Sequence, residues 1–167
     1  MRMAGFYDES MSNGIGWRAV LFVSGCPHNC PGCHNKVAQD FNYGEEFDET
    51  AILERIKENS ILKGITISGG EPLCPENIND VNKFIERVRK ELPGLNIWCY
   101  SGYTFEELKN RNDKITDITL NNIDVLVDGR FIEERKNPEI KFRGSDNQRI
   151  IDLRKSLKEN RIVELDI

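Results

Sequence analysis

The chain has 167 residues, 38% of them apolar and 31% charged, and a formal net charge of −5. That length suits a single domain over residues 1–167, because domains run about 100–200 residues and a chain this size buries about 70% of its unfolded surface. The acidic balance, without any dense Lys/Arg block, excludes a nucleic-acid phosphate binder, and no apolar run approaches the roughly 20 residues of a membrane span. The opening residues meet Asp8 and Glu9 too early for a signal-peptide core. With five cysteines and no export signal, a reducing cytoplasm is the expected compartment and a disulfide framework is not expected.

Residues 2–7 predict a short strand, followed by the turn-rich stretch Ser12-Asn13-Gly14-Ile15-Gly16. Ala19 to Val23 is a continuous apolar run rich in β-branched residues, as in a strand buried on both faces. It leads directly into a loop that holds Cys26, Cys30 and Cys33. Asp48 can cap a helix that runs to about Asn59, with Ile52, Leu53 and Ile56 on one side. Ile65-Thr66-Ile67 predicts the next strand, ending at Ser68-Gly69-Gly70-Glu71-Pro72. Ile78, Val81, Phe84, Ile85, Val88 and Leu92 recur at helical spacing over about Glu76 to Leu92, and Pro93-Gly94 stops that helix. Leu95 to Tyr100 predicts a third strand, ending at Ser101-Gly102, and Thr104-Phe105-Glu106-Glu107 reads as a capping box. Ile123 to Val127 predicts a fourth, ending at Asp128-Gly129-Arg130. In the tail, Arg149–Leu153 and Ile162–Asp166 read as strands, and the basic segment Arg154–Arg161 as a solvated face. Alternating strands and helices imply an α/β fold with a parallel sheet, and such sheets bind ligands at the carboxyl ends of their strands. Every distinctive motif of this chain falls at such an end.

The cysteine loop reads Cys-x3-Cys-x2-Cys, and its prolines and glycine keep helix and sheet away, leaving the backbone free to fold around one object. Thiolates gathered this way hold an iron–sulfur cluster or a zinc ion. A closed structural site needs four protein ligands, whereas three leave a position open for a reactant. A zinc site of Cys3His type would recruit His28 or His34. The Gly69-Gly70-Glu71-Pro72 turn lacks the Gly-Lys-Ser/Thr ending of a phosphate-binding loop, so ATP is not indicated. Cys74 and Cys99 are isolated and read as ordinary buried thiols.

The cysteine spacing resembles the signature of radical S-adenosylmethionine (SAM) enzymes. The full string Gly25-Cys26-Pro27-His28-Asn29-Cys30-Pro31-Gly32-Cys33-His34-Asn35 resembles the glycyl-radical-enzyme activating family, most closely the members that act on anaerobic ribonucleoside-triphosphate reductase. An aromatic residue often precedes the third cysteine in the wider superfamily; Gly32 stands there, as it does in that subgroup. The turn Asn13 to Arg18 fits the family more loosely, with Ile15 in place of a proline.

The resemblance implies an open, partial (β/α) barrel of radical SAM type. It implies a [4Fe-4S] cluster on Cys26, Cys30 and Cys33, with SAM on the fourth iron. SAM would meet the backbone of Gly32, Cys33 and His34, the residues Gly69, Gly70 and Glu71, and also Ser101 and Asp128. Asn147, Gln148 and Arg149 resemble a segment that closes the site. The implied activity is reductive cleavage of SAM to a 5′-deoxyadenosyl radical, which takes hydrogen from a glycine of the reductase's glycyl-radical subunit. An electron donor of low potential, such as flavodoxin or ferredoxin, is implied as a second partner. Two alternatives remain: another glycyl-radical target such as pyruvate formate-lyase, or a non-enzymatic Cys3His zinc-binding module.

Overall fold

The computed structural model describes all residues, 1–167. Along the chain run β1 (Arg2–Ser10), β2 (Arg18–Val23), β3 (Glu45–Glu46), α1 (Glu49–Glu58), β4 (Gly64–Gly69), α2 (Ile78–Glu91) and β5 (Asn96–Ser101). They are followed by α3 (Phe105–Lys109), α4 (Lys114–Asn122), β6 (Val125–Asp128), β7 (Arg149–Asp152) and α5 (Leu153–Glu159). One seven-stranded sheet is formed, in the order β3-β1-β2-β4-β5-β6-β7. Its centre, β2-β4-β5-β6, is parallel, and β3, β1 and β7 add antiparallel strands at the flanks. The end strands do not pair with each other, so the sheet is open.

Helix starts follow local chemistry. Asp48 accepts the Ala51 N–H at 3.0 Å, and Thr104 with Glu107 closes the predicted capping box, which satisfies backbone donors that have no partner inside a helix. Three expectations need correction. Residues 114–122 form α4, a helix without a predicted counterpart: Asp113 caps it, and packing of Leu120 into the core overrides the poor helix preference of its β-branched residues. The basic segment expected to be only a solvated face is largely α5, capped by Asp152 and ended by Asn160 in the left-handed conformation. Beyond it, Ile162–Asp166 is not a strand, and only a single bridge joins Glu164 to Ile151.

Strand side chains alternate between faces, and here the two faces differ in kind. Ala19, Leu21, Val23, Ile65, Ile67, Ile97, Cys99, Leu126 and Ile151 point to one side and join apolar residues of all five helices in a core of 24 buried residues. On the other face stand Arg18, Phe22, Thr66, Ser68, Trp98, Tyr100 and Val127, and no helix covers them. A smaller cluster of Trp98, Val125, Val127 and Ile150, with Phe142 against it, fills part of that face. The remainder is cleft.

Arg18 floors this helix-free face and is fully buried. Its guanidinium donates to the Thr66 hydroxyl at 2.8 Å and to the carbonyls of Ile15, Ile65 and Asn96, and its Cζ lies 5.3 Å from the Trp98 ring centroid. One side chain therefore joins the turn before β2 to the amino ends of β4 and β5. Arg18→Leu is expected to lower stability by about 3 kcal/mol, because it strands buried carbonyls and opens a void beneath Trp98. Urea unfolding of the two proteins checks this; a loss below about 1 kcal/mol, the scale of one ordinary hydrogen bond, contradicts it.

Candidate metal and cofactor site

The parallel register aligns the carboxyl ends of neighbouring strands. Val23 pairs with Gly69 and Ser101 with Asp128, so the cysteine loop, the Gly-Gly-Glu-Pro turn, Ser101-Gly102 and Asp128-Gly129 share one rim. Backbone bonds lock the first two motifs together: Gly70 N–H donates to Val23 O and Glu71 N–H to Gly25 O, both at 2.7 Å. The buried Asn77 amide bridges the same loops, donating to the carbonyls of Ser24 and Glu71.

Cys26, Cys30 and Cys33 line one cleft of about 130 Å³ with His34, Gly69, Gly70, Ser101 and Gly102. All three are free and half-buried, whereas Cys74 and Cys99 are buried elsewhere. Burial pushes the Cys26 thiol up to about 11, against the opposing pull of the His28 backbone N–H. Burial also raises Cys30, opposed by the Phe131 backbone N–H and the Arg130 charge. Binding a metal must therefore expel protons from these sulfurs. Gly32, at φ +74°, takes the left-handed turn that returns the chain towards Cys33. His34 is exposed at the cleft mouth.

Gly70 lies in the cleft wall, yet the space a side chain would need there is already taken by the carbonyls of Gly25 and Ala38. The chain's own backbone demands glycine at this position. Glu71 is not in the wall at all. Its carboxylate has no exposed surface and accepts four hydrogen bonds: from Leu73 N–H and Ser101 O–H at 2.9 Å each, from Gly102 N–H at 2.6 Å and from His28 Nε2 at 2.7 Å. The protein itself thus fills the acceptor sites of this side chain.

Asp128 is likewise set back, 1% exposed. It accepts the Phe105 N–H at 2.7 Å and two bonds from Arg149 at 3.0 and 2.5 Å, so it braces the start of α3 instead of facing the cleft. Those bonds and the contact with Glu106 raise Arg149 still further above its usual value. Asn147 and Gln148 donate to the carbonyls of Arg130 and Gly129, 2.9 Å each, and so fix the Asp-Gly-Arg turn from behind. Gln148, expected in a segment that closes the site, reaches the cleft wall together with Tyr100 and Phe131, to which the sequence reading assigns no site role. Tyr100 was within reach, since its strand position sends it to the opposite face from Cys99.

Comparison with known proteins decides the family. The family described as "4Fe-4S single cluster domain" matches residues 12–151. An Escherichia coli K12 protein named anaerobic ribonucleoside-triphosphate reductase-activating protein is 41% identical over 153 residues, 89% of this chain and 97% of the relative. The chain belongs to this family of 4Fe-4S activating proteins. Relatives of the same name from Haemophilus influenzae Rd (42% over 147 residues, 86% of this chain, 92% of the relative) and Enterobacteria phage T4 (36% over 147 residues, 86% and 89%) agree.

The residues present fit the family's cluster. Three soft thiol donors open onto one cleft, as iron–sulfur ligation requires. No group of three or more His, Cys, Asp and Glu side chains is gathered tightly enough to enclose a single ion. Nε2 of His28 is engaged by Glu71.

Two outcomes test this geometry. In the metal-free protein, iodoacetamide is expected to label the half-buried Cys26, Cys30 and Cys33 while sparing Cys74 and Cys99, which have no exposed surface. Peptide mass spectrometry reads the result, and equal labelling of Cys99 contradicts the placement. Gly70→Ala is expected to cost about 2 kcal/mol or more through the clash with two backbone carbonyls; an unchanged thermal midpoint would show that the two loops are not locked.

Proposed function

We propose that this protein is a radical SAM activase which generates a glycyl radical on an anaerobic ribonucleoside-triphosphate reductase. The observation that carries the reading is three half-buried thiols opening onto one cleft at the carboxyl rim of four parallel strands, faced by Gly69, Gly70 and Ser101. The relatives' printed name supports the reductase as target over pyruvate formate-lyase. In this reading the open sheet with its helix-free face is a partial barrel, and Cys26, Cys30 and Cys33 hold the [4Fe-4S] cluster.

A [4Fe-4S] cluster held by Cys26, Cys30 and Cys33 would supply, with an electron from a low-potential donor, the reductive cleavage of SAM to methionine and the 5′-deoxyadenosyl radical that would take a hydrogen atom from the target glycine. The protein's own residues position and shield. The backbone N–H groups of His28 and Phe131 pull the Cys26 and Cys30 thiols down, against burial, which favours the thiolate form that a metal needs. The wall at Gly69, Gly70 and Ser101 is narrow and rich in backbone, which suits close approach by the amino and carboxylate groups of SAM. Tyr100, Val127 and Phe131 give the cleft an apolar side, which limits water around a reactive intermediate. Two further clefts, sharing His34, Asn35 and Phe22, continue from this one along the helix-free face and leave room for a backbone segment of the target.

Anaerobic reconstitution with iron and sulfide, followed by dithionite reduction, is expected to give a [4Fe-4S]+ electron paramagnetic resonance signal that changes on adding SAM, with 5′-deoxyadenosine formed. Cys30→Ala is expected to abolish that cleavage. Uptake of stoichiometric zinc without any cluster, or full cleavage by the Cys30 variant, would overturn the reading.

A further inference from the structure

The four donors to Glu71 come from three separate segments. Leu73 belongs to its own turn, Ser101 and Gly102 to the end of β5, and His28 to the cysteine loop between Cys26 and Cys30. A carboxylate only accepts, so Nε2 of His28 carries the proton. The Ser101 hydroxyl, donating to Glu71, accepts the Tyr103 N–H at 3.1 Å, which extends the network along the rim.

His28 has little freedom to respond alone. Its side chain is 5% exposed, its ring occupies the space a side chain at residue 102 would need, and it packs edge-on to Tyr103 with centroids 4.4 Å apart. The Arg111 guanidinium lies 4.3 Å from the centre of the Tyr103 ring. A turn needing only local support would be satisfied by the Leu73 bond. What the remaining bonds add is a rigid link from the segment with two of the thiols to the segments that form the opposite wall of the cleft.

We propose that Glu71 and His28 are positioning residues, and that their hydrogen bond transmits occupancy of the Gly70/Ser101 wall to the cysteine loop. This rests on the reading that the cleft takes a [4Fe-4S] cluster and SAM. Hydrogen bonds one step removed from a metal orient its ligands and tune its properties, and here that step also touches the cofactor wall. Through this link the sulfurs shift when the wall is filled, so SAM binding alters the cluster electronically as well as by direct contact.

Replacing Glu71 strands four buried donors and endangers the fold, so the bond is best cut from the other end. His28→Phe keeps the aromatic packing and removes the donor; His28→Gln restores a donor at similar reach. Both full-length variants, reconstituted anaerobically, are compared with wild type for iron content, SAM affinity by equilibrium dialysis, and paramagnetic resonance and midpoint potential with and without SAM. His28→Phe is expected to load iron normally and bind SAM, to lose most of the SAM-induced change in spectrum and potential, and to cleave SAM about tenfold more slowly or worse. His28→Gln is expected to recover the response. A wild-type response in His28→Phe overturns the proposal. So does loss of iron from that variant alone, which would make His28 a support for cluster retention and not a link to the wall. If wild type itself never loads a cluster, the underlying reading of the cleft fails first, and that result is visible before any variant is made.

Discussion

A carboxylate sealed from water must find all its hydrogen bonds inside the protein, and Glu71 meets that demand with partners from three loops. The cysteine loop among them has no regular structure of its own, with neither helix nor strand between Ser24 and Asn35. Loops of this kind hold position only when fixed by side chains or by neighbouring backbone. Here the two means act together, since Glu71 gathers the loops through its side chain while its own N–H donates to Gly25 O. Because an unpaired buried charge is so unfavourable, the arrangement is close to all-or-none. Moving any one loop disrupts the satisfaction of the others.

The sheet supplies the frame that makes this economical. Parallel pairing brings Val23, Gly69, Ser101 and Asp128 to one rim without any long excursion of the chain. With the helices on a single face, core packing and site construction are assigned to opposite sides of the same strands. Alternate residues then do different work: Cys99 and Ile67 pack against helices, while Tyr100 and Ser68 border the clefts. Arg18 closes the floor of the helix-free side with hydrogen bonds to neutral groups.

The parts legible in the sequence are those governed by short-range rules. A buried strand run, a helical period, a capping box and the Cys-x3-Cys-x2-Cys spacing each lie within about a dozen residues, and the parallel frame follows from their alternation. The helices α4 and α5 were missed because tertiary packing and single-residue caps at Asp113 and Asp152 settle them. Glu71 and Asp128 were found at the rim, but their side chains turn inward, a direction that strand-end position alone does not determine. His28 was weighed only as a metal ligand. Its actual partner lies 43 residues away, and such pairings are set by the fold and not by local pattern.

These features separate this protein from small domains that fold only around their metal. Where metal supplies the folding energy, the ligands are the core. Here the core of 24 buried residues contains none of the three loop cysteines, and the loop is held by Ser24, Gly25 and Cys26 N–H bonds to Arg2, Ala38 and Gln39 carbonyls, by Asn77 and by Glu71. None of those bonds needs a sulfur. The apolar core, whose buried aliphatic side chains contribute about 1.5–3 kcal/mol each, therefore carries stability, and the cysteines are released from a structural duty. Under the proposed reading, thiols that do not hold the fold together are free to take up a cluster, lose it and be reloaded without unfolding the chain.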